Sequence, residues 1–116
     1  MTSRHSYVPG TIEEIIDCLG FMMLSSPSFQ SPEGSLPETN IDTAFGALSS
    51  GLAAVRAQLG NETYEMLKSR SDRMRTYFEA DPRDDTGDAR KGREIILEME
   101  DLLVSILKGR VHHTKE

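Results

Sequence analysis

Chemistry, if this chain carries any, should concentrate in the stretch FEADPRDDTGDARKGRE, residues 78–94, where Asp81, Asp84, Asp85 and Asp88 alternate with Arg83, Arg90, Lys91 and Arg93 around Gly87 and Gly92. Carboxylates at that density suggest a calcium or magnesium loop, and glycines beside cations suggest a phosphate cradle. A helix–loop–helix calcium loop needs oxygen ligands at positions 1, 3 and 5, glycine at 6 and glutamate at 12. Counted from Asp81, position 3 is Arg83, position 6 is Thr86 and position 12 is Gly92; counted from Asp84, position 6 is Ala89. Neither register works. Gly87 and Gly92 have the glycine spacing of a nucleotide-binding P-loop, but Arg93 and Glu94 stand where Lys and Ser or Thr are required. The expectation is structural: acids near a helix start favour its free amides, and Asp85 or Thr86 caps them. A metal- or nucleotide-dependent enzyme using Asp84, Asp85, Asp88 and Arg90 is the alternative from a different functional class.

Other reactive residues are sparse. His5 lies in the N-terminal arm, and His112 and His113 lie near the other end. None sits on a periodic helix, so neither a carboxylate-bridged di-metal bundle nor a histidine phosphotransfer domain fits. Cys18 is the single cysteine, beside Asp17 and with no neighbouring cation to lower its pKa, so a packed thiol is expected. No serine has a histidine placed to activate it. Glu94, Glu98, Glu100 and Asp101 read as a solvated helix face. The sequence therefore assigns no catalytic, cofactor-binding or metal-ligating residue.

Four periodic segments must position whatever function exists. The first, about 11–24, opens with Thr11 and Glu14 in capping-box spacing, and Ile12, Ile15, Ile16, Leu19, Met22 and Met23 share one arc. SSPSFQSPEGSLPE then stops it with three prolines, leaving a long Pro/Ser-rich connection and the direction of the first helix open. The second, about 40–59, carries Ile41, Ala44, Phe45, Leu48, Leu52, Val55 and Leu59 and ends at Gly60. The third, about 61–80, is capped by Asn61, buries Tyr64, Leu67, Met74 and Phe78, and stops at Pro82. Lys68 with Asp72 and Arg75 with Glu79 are its expected i, i+4 pairs. The fourth, about 86–108, has the widest apolar stripe and stops before Gly109. A flexible arm about 1–10 and a flexible tail about 109–116 flank the helices. No stretch alternates like a strand. The expected architecture is all-α, a four-helix bundle-like single domain with the last three helices up-down-up.

Composition narrows the function classes. With 116 residues, 37% of them apolar and 28% charged, one domain can bury a core without metal or disulfide. The net charge of −6 disfavours nucleic acid, for which Lys68, Arg70, Arg73 and Arg75 are taken as the only candidates for a basic patch. No apolar run exceeds four residues, so neither a membrane span nor a secretory leader is expected, and the location is taken as cytoplasmic.

Two features point to a protein partner. Gly46, Ser50, Ala53 and Ala57 line the non-core face of the second helix, and Arg56 is the only charge between Thr43 and Gln58. The favoured expectation is a central helix covered on both sides; the other is a homodimer seam. Leu97 and Val104, seven residues apart, lie outside the main stripe of the fourth helix, and Phe21 and Leu24 lie outside that of the first. Phe29 and Leu36 are expected to fold back over that second pair. The resulting expectation is a non-catalytic protein-interaction module, binding a partner or itself as a homodimer. An acidic immunity protein or antitoxin that neutralises a toxin is the alternative within the binding class.

Overall fold

The computed structural model describes residues 9–27, 29 and 40–115, with side chains to position 109. Its helices are α1 (Ile12–Ser25), α2 (Ile41–Ala54), α3 (Arg56–Leu59), α4 (Asn61–Ala80) and α5 (Asp88–Lys115), and no strand occurs among the described residues. The fold is the all-α bundle that the spacing implies. Both early helix starts are set by side chains. Thr11 Oγ1 accepts the Glu14 amide at 3.1 Å, while the Glu14 carboxylate accepts the Gly10 amide at 2.7 Å. At α2, Asn40 and Thr43 cap one another reciprocally, at 3.0 and 2.9 Å.

Cross-helix contacts fix the directions. Arg75 toward the end of α4 meets Asp42 at the start of α2, while Phe78 at the end of α4 packs on Gly92 near the start of α5 and Arg70 meets Glu98 midway. The last three long helices are therefore up-down-up. Arg93 near the start of α5 donates to Ser26 just past the end of α1, and Gly20 faces Glu100. Hence α1 runs antiparallel to α5, and the long connection after it begins and ends at the same end of the bundle. The helices form a ring in the order α1, α2, α4, α5, which places α2 diagonally across from α5.

Phe29 closes that end. Its ring is 1% exposed and packs edge-on against Phe45 at 5.6 Å and Phe78 at 5.2 Å. It adopts φ 59°, unusual for a bulky residue, and the buried ring sits between two helices there. Phe29 does not cover Phe21 and Leu24, contrary to expectation, because the bundle end offers it full burial. Leu36 lies outside the described residues. The remaining core is one cluster in which Ile15, Leu19, Leu48, Val55, Leu67, Met74, Ile96, Met99 and Leu103 have no exposed surface.

Local differences from the expected elements have physical causes. The second helix is interrupted at Val55 (φ −105°, ψ 14°), where Gln58 N bonds Val55 O at 2.9 Å and tightens the final turn. Gly60, at φ 88°, then turns the chain into α4 and itself occupies the cap position. Asn61 is thus the first helical residue rather than the cap, and its Oδ1 accepts from Arg56 Nε at 3.0 Å. Arg75–Glu79 forms at 2.9 Å, whereas Lys68 and Asp72 make no ion pair. Helix α5 continues through Gly109 to Lys115, because an isolated glycine costs a helix only about 1 kcal/mol and no proline follows. Ahead of α1, Pro9 is buried against Gly51, where a Cβ would lie 2.7 Å from Pro9 Cγ. That end of the expected flexible arm is packed.

Candidate functional site

The aspartate-rich loop is built around one residue. Asp81 is 1% exposed. Its Oδ1 accepts the Asp85 and Thr86 amides at 2.8 and 3.2 Å, and Oδ2 accepts the Ala89 amide at 2.9 Å. Burial alone raises a carboxyl pKa, but the Ala89, Asp85 and Thr86 amides with the Thr86 hydroxyl outweigh it and hold Asp81 at about 2. Asp81 thus caps the α5 start from eight residues away. Thr86 contributes a longer bond of 3.3 Å from Oγ1 to the Asp88 amide, while Asp85 serves as a donor through its amide rather than as the cap. The remaining acids are spread out: Asp84 grips Arg93 at 3.0 and 3.1 Å, and Asp88 lies 3.9 Å from Lys91. Among the described residues no three His, Cys, Asp or Glu side chains converge in a way that would hold a metal ion. Sequence reasoning missed Asp81 as the organiser. Its position directly before Pro82, at the α4 stop, was the available signal.

The α2 face differs most from the favoured expectation. Gly46, Ser50, Ala53 and Ala57 are all exposed, as are Ser49 and Ala54, so this helix is not covered on both sides. Four helices in a ring leave every helix an outer side, and here the outer side of α2 is small and uncharged. Arg56 is the one cation beside it; its guanidinium stacks 4.6 Å over the Tyr64 ring and bonds Asn61. Ala53, Ala54, Ala57, Gly60 and Asn61 border an open depression of about 570 Å³ beside that guanidinium. The small residue that does serve close approach is Gly51, beneath Pro9.

Leu97 and Val104 fall elsewhere. Leu97 is 51% exposed and Val104 is half-buried, both on the α5 flank facing α1. Leu24, at 86% exposure, lies on the matching flank of α1, while Phe21, 60% exposed, is turned about 100° from the α5-facing Gly20 and away from α5. With α2 diagonal to α5, the structure does not join the two sets of predicted interface residues. They form separate surfaces.

Of the remaining candidates, Cys18 is half-buried, and burial pushes its thiol up to about 11, so it stays protonated at neutral pH. Of the basic residues weighed for nucleic acid, Arg70 and Arg75 are committed to Glu98, Glu79 and Asp42. No helix among the described residues is long and apolar enough to cross a membrane. Comparison of the chain with protein-family models, with curated proteins and with solved structures found no match.

Proposed function

We propose that this chain is a non-catalytic helical interaction module that pairs with a second copy of itself through the outer face of α2 and α3. The observation carrying this is the exposure of Gly46, Ser50, Ala53 and Ala57 together on a face whose one cation, Arg56, is held by Asn61 and the Tyr64 ring. A helix face of small residues lets a second helix approach closely. A two-fold seam uses one such patch twice.

The exposure of Ala53 makes the test clean. Ala53→Arg should leave the melting temperature of the monomer nearly unchanged, since surface substitutions stay within about 0.5 kcal/mol. Sedimentation at micromolar concentrations should give a dimer for the parent chain and a monomer for the variant. A parent that remains monomeric, or a dimer indifferent to Ala53→Arg, defeats the proposal. A second reading, an acidic immunity protein or antitoxin, draws on α1, which carries Glu13, Glu14 and Asp17 and no basic residue. It requires the chain to inhibit a basic toxin encoded beside it at near-stoichiometric ratio.

A further inference from the structure

We propose that the groove between α1 and α5 is a docking site for a basic amphipathic helix of another protein, an inference that rests on the reading of the chain as an interaction module. The antiparallel register, with Ser26 beside Arg93 and Gly20 beside Glu100, brings Leu24 level with Leu97 and carries the groove on toward Val104. Leu24 and Leu97 are 86% and 51% exposed, an apolar strip that nothing among the described residues covers. Leu97 and Val104 stand two helical turns apart, about 10 Å along the axis. That spacing matches a helix presenting apolar residues at i, i+3 or i+4, and i+7.

Charge selects the partner. Helical phase puts Glu13 and Asp17 of α1 and Glu100 and Asp101 of α5 along the strip. Among the described residues the cations on this side are Arg90, seven residues before Leu97, Arg93, held by Asp84 and Ser26, and Lys108 at the far end. Glu100 is half-buried with no cation of the described residues within ion-pair distance, and burial, then Asp101, raises its pKa. An incoming Lys or Arg would relieve both effects. The same acids repel phosphate-rich surfaces, and they repel a second copy, whose own α1 is acidic. A basic, apolar-faced protein segment is the occupant that satisfies all of these.

The probe is a labelled synthetic peptide of about 18 residues, with Leu at helical i, i+3, i+4, i+7 spacing and Lys elsewhere, titrated into the full chain by fluorescence anisotropy. A Leu/Glu peptide of the same pattern is the charge control. The Leu/Lys peptide should bind and the Leu/Glu peptide should not. Leu97→Asp and Leu24→Asp should each weaken binding about tenfold or more, as expected for a buried anchor. Both variants add negative charge, so a loss cannot come from weaker general attraction to lysine. Asp17→Lys with Glu100→Lys should also weaken binding, while Glu65→Lys, exposed on α4, should change it less than about twofold. Absence of saturable binding at about 0.1 mM peptide overturns the proposal, as does equal binding of the Leu/Glu peptide or indifference to the groove substitutions. Dimerisation abolished by Leu97→Asp would assign the groove to a second copy and overturn it equally. A failed groove with an Ala53-sensitive dimer would leave the interaction module standing.

Discussion

Gly92 and Phe78 offer the sharpest test of how this bundle is packed. A Cβ at Gly92 would lie 2.7 Å from Phe78 Cε1 and Cζ and 3.1 Å from Cδ1. Carbon atoms in contact prefer about 3.5–4.0 Å, so the overlap approaches 1 Å. The Phe78 ring has little freedom to retreat, since it is 1% exposed and packed edge-on against Phe29, which is itself held by Phe45. Overpacking of this kind costs about 1–3 kcal/mol, and the helix propensity of Ala over Gly returns about 1 kcal/mol. Gly92→Ala should therefore destabilise the protein by up to about 2 kcal/mol, up to roughly 8 °C in melting temperature for a chain of this size. In a Phe78→Leu background the obstructing ring is gone, and the same change should become neutral or stabilising. The double-mutant cycle, measured by urea unfolding, should show a coupling of about 2 kcal/mol. Gly46→Ala is the matched control, because Gly46 has nothing within 4 Å of a built Cβ; it should stabilise by about 0.5–1 kcal/mol. A Gly92→Ala protein more stable than the parent, or a loss unchanged by Phe78→Leu, would refute the packing described for this end.

Two further predictions concern titrating groups. The folded pKa of Asp81, about 2, lies below its ordinary value of 3.8, so its contribution is fully present above about pH 4 and lost as pH falls through about 2. Asp81→Asn, which turns an amide donor toward the Ala89 N–H, should lower stability at pH 7 and flatten the fall in urea midpoint between pH 4 and 2; an acid limb as steep as the parent's would contradict the capping role. The Cys18 thiol, pushed up to about 11, should be roughly one part in a thousand thiolate at pH 8. Its reaction with an aromatic disulfide reagent should be slow in the native protein and fast in denaturant, and equal rates would contradict its burial.

Much of the fold was legible because helical periodicity is a local property. Ile12 to Met22 and Ile95 to Leu103 repeat at helical spacing, and such a stripe can be satisfied only by burial. The stop at Pro82, the turn at Gly60 and the Thr11 cap act through backbone rules that span a few residues. Side-chain destinations across long separations were not legible. Phe29 could have covered Phe21 and Leu24 or entered the bundle end, and only the space between Phe45 and Phe78 decides which. Asp81 reads as one acid among several until the α4–α5 turn brings the Ala89 amide to it.

The outward surfaces divide in the same way. The sequence alone determined that α2 carries a small-residue face, that Leu97 and Val104 fall off the main stripe, and that the net charge is −6, because composition and phase belong to each helix. Whether those faces meet another part of the chain or remain uncovered depends on how four helices are arranged. The ring order leaves the outer side of α2 open and sets the flank of α1 beside that of α5, with α2 and α5 diagonal to each other. Only the tertiary structure could decide this, since exposure is a property of a helix's neighbours rather than of its own sequence.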